Sequence, residues 1–172
     1  GLSLVRDAEW NRMAMHERSI EMARSLQFTV NGPIDTLVTI NEVTGADGYT
    51  DLEVTVAAQE VNGLQADLRG VFFGVKHDWL LKHMSASGDD VTDSQFKDDK
   101  VVDLGNGANV KGHLVKKKHG YDGGVEIGTQ GIGKDDISET TFVLSAYKRD
   151  VTLDELGNNE IALRYTSFGT DE

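Results

Sequence analysis

The spacing of hydrophobic and polar residues changes once along the chain. From about Leu4 to Arg24 there is no glycine, Ala, Met, Glu and Arg recur, and Trp10, Met13, Ala14 and Met22 form an imperfect helical stripe. Asp7 is placed to cap that helix, and Glu17 and Glu21 pair with Arg18 and Arg24 at spacings that support an exposed helix. This predicts a short N-terminal helix or connector over residues 1–25, ahead of a separate domain over 26–172. Acids and bases balance in this stretch, which argues against a membrane-seeking helix.

From Leu26 the period shortens. Leu26, Phe28 and Val30 alternate with polar residues until the turn Asn31-Gly32-Pro33. Leu37 to Ile40 reads as a second strand, Gly45 to Gly48 as a loop, and Leu52, Val54 and Val56 as a half-buried strand. Asn62-Gly63 predicts a hairpin into Leu68 to Val75. Strands this close leave no room for crossover helices, so antiparallel pairing follows. Asp78 to Met84 reads as one or two helical turns capped by Asp78. Acidic, glycine-bearing loops then surround short apolar pieces over Ser87–Asp93, Asp98-Asp99 and Asp103–Gly107. Val125 to Ile127, Thr141 to Tyr147 and Ile161 to Phe168 supply late strands, and Leu153 to Leu156 a turn of helix. About seven to nine strands with frequent turns predict a mainly β protein, an antiparallel β-sandwich of jelly-roll or cadherin-like type with a short N-terminal helix.

Composition narrows the chemistry. The 172 residues carry 17 Lys plus Arg against 29 Asp plus Glu, a formal charge of −12 that repels phosphate backbones and disfavours nucleic-acid binding. No run approaches the ~18 apolar residues of a membrane-spanning helix, so membrane insertion is not expected. The absence of cysteine excludes disulfides, thiolate metal sites and cysteine nucleophiles. The chain opens Gly1-Leu2-Ser3, which predicts a piece of a larger multidomain protein.

Catalytic patterns are scarce. His77, His83, His113 and His119 form no close metal motif, and His113 and His119 bracket Lys116-Lys117-Lys118 as a solvated tip. Gly128-Thr129-Gln130-Gly131-Ile132-Gly133 lacks the Gly-Lys-Ser/Thr ending of a phosphate loop. Oxygen donors, in contrast, are abundant. Asp89, Asp90 and Asp93 lie around a glycine-bearing turn; Asp98, Asp99, Asp103, Asn106 and Asn109 follow, and Asp135 and Asp136 adjoin another bend. Calcium takes six to eight such oxygens from flexible loops. The expected metal ligands are Asp89, Asp90, Asp93, Asp103, Asp135 and Asp136. Trp79, Tyr49 and Tyr121 are candidate platforms for a sugar ring, with Asn106 and Asn109 for its hydroxyls.

Four segments in order carry a family resemblance: Asp67 to Phe73, Gly88 to Thr92, Leu104 to Asn109, and Val125 to Ile137. Together they resemble a β-sandwich module of secreted bacterial proteins associated with calcium-binding, type I-exported RTX proteins. More loosely, the chain is similar in type to the cadherin-like domains of rhizobial adhering proteins. The resemblance implies secretion or a cell-surface location, and calcium. Residues and resemblance together lead to an expected non-catalytic, calcium-dependent module that binds an extracellular polysaccharide. The alternative is a calcium-stiffened adhesion module without a glycan site.

Overall fold

The structure is a computed structural model that describes residues 2–5, 24–59, 64–111, 119–129, 136–156 and 161–170. Its elements in chain order are β1 (Leu2–Val5), β2 (Ser25–Val30), β3 (Thr36–Thr44), β4 (Thr50–Ala58), β5 (Leu64–Phe73), α1 (Asp78–Leu81), β6 (Met84–Ser87), β7 (Val91–Val101), β8 (Tyr121–Ile127), β9 (Glu139–Ala146) and β10 (Ile161–Thr170). A single 3-10 turn covers Leu153–Leu156. Two antiparallel sheets result, a six-stranded one ordered β1-β2-β3-β4-β9-β6 and a four-stranded one ordered β10-β5-β8-β7.

Alternation builds the core. Val38 and Ile40 of β3, Leu52, Val54 and Val56 of β4, and Phe142 and Leu144 of β9 share one buried cluster with Leu68, Val71 and Phe73 of β5 and Val125 and Ile127 of β8. The two sheets therefore meet through one sandwich-like core. The far face of the four-stranded sheet is also covered. Phe72, Val101 and Tyr121 pack there with Leu104, Ala108 and Val110, which arrive on the loop after β7. β8 is consequently buried along its whole length. Its adjacent Gly123 and Gly124 suit that position: a Cβ on Gly123 would run into the Phe73 ring on the inner face, and one on Gly124 would come within 2.8 Å of Val101 on the outer face.

Three features differ from the sequence reading. Leu4 and Val5 belong to β1, which pairs with β2 in the register Leu2↔Val30 to Val5↔Gln27. The remainder of the predicted N-terminal helix, residues 6–23, and the Asn62-Gly63 hairpin lie outside the described residues. The acid-rich stretch Val91–Val101 is one long strand rather than a set of loops. It sits at the edge of its sheet, so Asp93, Asp98 and Asp99 stay in water while the backbone pairs with β8. Finally, the N-cap of α1 is His77, whose backbone is extended (φ −109°, ψ 111°), and Asp78 is the first helical residue. There its carboxylate faces the positive end of the short helix.

Candidate functional site

The irregular pairing of β7 with β8 creates the site. Phe96 pairs with Gly123 and Val101 with Tyr121, so the residues 97–100 bulge outward opposite Asp122 alone. Asp122 is 8% exposed and acts as a staple. The Val75 N–H donates to its Oδ2 (2.7 Å), and the Asp99 N–H donates to its Oδ1 (2.9 Å). Asp99 adopts a left-handed backbone (φ 53°), which few residues other than glycine and Asn/Asp accept, and its carbonyl takes the Gly120 N–H at 2.8 Å. This geometry brings Asp98 and Asp99 round to Asp122, with one carboxylate oxygen from each within 4.8 Å of the others.

The electrostatics are those of an under-compensated site. Desolvation by its neighbours, then the charges of Asp78, Asp99 and Asp122 and a side-chain hydrogen bond with Asp122, hold the exposed Asp98 carboxyl above the ordinary aspartate range. His119 Nδ1 lies 3.1 Å from Asp99 Oδ1, a contact that supplies positive charge only when the imidazole is protonated. The next residue after Asp78 is Trp79, which is 57% exposed, with its ring 5.8 Å from that of His77. His77 in turn is held by Glu155 at 2.7 Å. The acidic group and the short helix that carries this exposed indole therefore lie near one another.

The donor set fits a hard divalent cation. Oxygens bound to one calcium at about 2.3–2.6 Å lie no more than about 5.2 Å apart, a limit that the 4.8 Å grouping satisfies. All three groups are carboxylates, the ligand type that calcium and magnesium prefer over softer metals.

Five of the six residues expected to bind metal are described, and they lie outside this group. Asp89 is exposed on the turn before β7, and Asp90 accepts from the Thr140 hydroxyl at 2.8 Å. Asp93 Oδ1 accepts from the Ser94 N–H at 2.8 Å. Asp103 accepts from the Gly105 N–H (2.8 Å) and pairs with Lys111 (2.9 Å), contacts that hold its carboxyl below the usual range. Asp136 is exposed, and Asp135 lies outside the described residues. Among the described residues the single group of three candidate ligands is Asp98, Asp99 and Asp122, and none of the five described acids above belongs to it. Of the expected ligand-binding residues, Trp79 follows Asp78, whose charge acts on Asp98, and Tyr49 is 37% exposed on the β3–β4 loop. Tyr121 is only 6% exposed with its ring against Phe72, so it offers no face to a sugar. Asn106 is exposed with a left-handed backbone (φ 51°), and its carbonyl accepts from Arg69. Asn109 bridges to Asp103.

Asp122 escaped the sequence reading. Its one signal is position: an acid between Tyr121 and Gly123-Gly124, just ahead of the apolar Val125 and Ile127. A second buried acid of β8, Glu126, lies beside Arg69, whose side chain is completely buried, at 3.8 Å. Arg69 also donates to the carbonyls of Ile127 and Asn106, and the Thr92 hydroxyl donates to Glu126. The chain matches no family model, no curated protein and no solved structure.

Proposed function

We propose that this chain is a non-catalytic module that binds extracellular polysaccharide with the help of calcium, and that Asp98, Asp99 and Asp122 hold the ion. The convergence of these three carboxylates, close to the short helix α1 on which the exposed Trp79 sits, carries the reading. Calcium, when bound, supplies positive charge and open coordination positions that accept vicinal hydroxyls. Asp122 keeps the bulge and the chain leading into α1 in register through its two backbone contacts. Trp79 offers an apolar ring face against which a pyranose can stack. The proposal includes a secreted or cell-surface location, membership of an RTX-associated module family and a jelly-roll or cadherin-like form of the two-sheet fold. The acidic, cysteine-free composition and the antiparallel sheets support it.

A glycan array with calcium and with chelator tests the reading. Calcium-dependent signal that disappears in both Trp79→Ala and Asp98→Asn supports it. Signal indifferent to calcium and to both substitutions refutes it. The staple at Asp122 also favours a second reading, in which calcium only stiffens an adhesion module. An array silent in calcium, together with calcium-dependent self-association in sedimentation, would select that one.

A further inference from the structure

A different region carries hydrogen-bonding groups that the calcium-centred reading does not use. An open cleft of about 530 Å³ lies where the β3–β4 loop meets β6 and the end of β9, lined in part by Asp47, Asp51, His83, Ser85, Ser145 and Tyr147. That volume falls within the ~300–1,000 Å³ of small-ligand sites. Ser85 and Ser145 sit opposite each other on paired strands, with their hydroxyls 3.1 Å apart, and form a donor-and-acceptor floor. Tyr147 is 68% exposed and forms an aromatic wall, with Lys148 Nζ 5.3 Å from its ring centre. Asp51 closes one side; its Oδ1 is buried with no hydrogen-bond partner.

The charge state of this cleft decides what fits it. Burial, then Asp47 and Asp150, push the Asp51 carboxyl upward. Burial, then Arg149 and Lys82, push the His83 imidazole downward. Asp47 and Asp150 on one side, and Arg149 and Lys82 on the other, place charges of both signs around these two groups. A cleft with paired hydroxyls for a floor and an exposed aromatic wall suits a ligand rich in hydroxyl groups.

We infer that this cleft is a second saccharide subsite, taking one neutral hexose unit without calcium. It rests on the polysaccharide-binding reading for the kind of ligand, but uses different residues and needs no cation. The short segment Trp79–His83 runs from α1, which neighbours β7, to the cleft that His83 lines.

The test is an amide NMR titration of the whole chain in excess chelator, with neutral gluco-, galacto- and manno-trisaccharides as probes. The expected result is saturable shifts at Ser85, Ser145 and Ala146 with at least one probe, weakened about tenfold or more in Tyr147→Ala and unchanged in Trp79→Ala. Tyr147 is largely exposed, so its truncation leaves the core intact. Ser145→Ala is a second variant expected to weaken binding without touching the aromatic wall. Absence of saturable shifts with every probe overturns the inference, as do shifts that survive Tyr147→Ala or centre on Trp79. Because chelator is present throughout, these failures stand apart from failure of the calcium-dependent array signal.

Discussion

The two ends of β8 each bury an acid and surround it differently. Glu126 is 5% exposed and meets a fully buried guanidinium from Arg69 and a hydroxyl from Thr92. Asp122, 8% exposed, meets two backbone N–H groups and faces two further carboxylates. At the first end the chain brings its own counter-charge. At the second it brings only neutral donors, which fix the carboxylate in place and leave its negative charge uncompensated. Acid density along the chain does not by itself gather carboxylates; the fold does so at Asp98, Asp99 and Asp122.

The comparison can be broken most forcefully at Glu126. Glu126→Ala strands the Arg69 charge in a buried setting and is expected to cost about 3–5 kcal/mol. Denaturant melts with and without calcium would show the same loss, since this end of the strand makes no use of the ion. Asp122→Ala leaves the Val75 and Asp99 N–H groups without their acceptor and is expected to cost about 2–4 kcal/mol. Unlike the first variant, it also removes the response to calcium, so a normal calcium-induced rise in Tm in this variant would sink the assignment.

For the unaltered chain, calcium at a hundred times its Kd is expected to stabilise the fold by about 2.7 kcal/mol. Differential scanning calorimetry at rising calcium reads this directly, and an unmoved Tm at millimolar calcium contradicts the site. The smallest effect belongs to Asp98→Asn, which removes a charge held against its neighbours. The raised Asp98 pKa means that the folded state disfavours ionisation. The penalty is absent below the ordinary aspartate pKa and grows as pH rises through the raised value. The variant is therefore expected to melt slightly higher than the parent at neutral pH in chelator, to match it in strong acid, and to respond less to calcium. Paired melts across pH check the crossover.

Much of the framework was legible from spacing. The alternations at Leu26-Phe28-Val30 and Leu52-Val54-Val56 became β2 and β4, because period-two burial is a local property that one buried face enforces. The turn at Gly45–Gly48 and the helical turn at Leu153–Leu156 were readable for the same local reason. The long strand through Val91–Val101 was not. Its polar residues suit a loop, and only the edge position beside β8 makes their exposure compatible with pairing. Trp79 was a visible candidate, whereas its exposure and Tyr121's burial depend on what each ring meets in space.

By itself the amino-acid order determined a mainly antiparallel β protein, acidic, cysteine-free and rich in oxygen donors, since alternation, turn chemistry and charge are all written in near neighbours. Which acids face one another was decided only by tertiary structure. Asp103 is neutralised by Lys111 and Asp90 is engaged by Thr140, while Asp122, more than twenty residues along the chain from Asp98 and Asp99, joins them through the β7–β8 bulge. Electrostatic energy falls with distance in space rather than along the chain, so a cation site is set by strand register and bulge geometry as much as by composition.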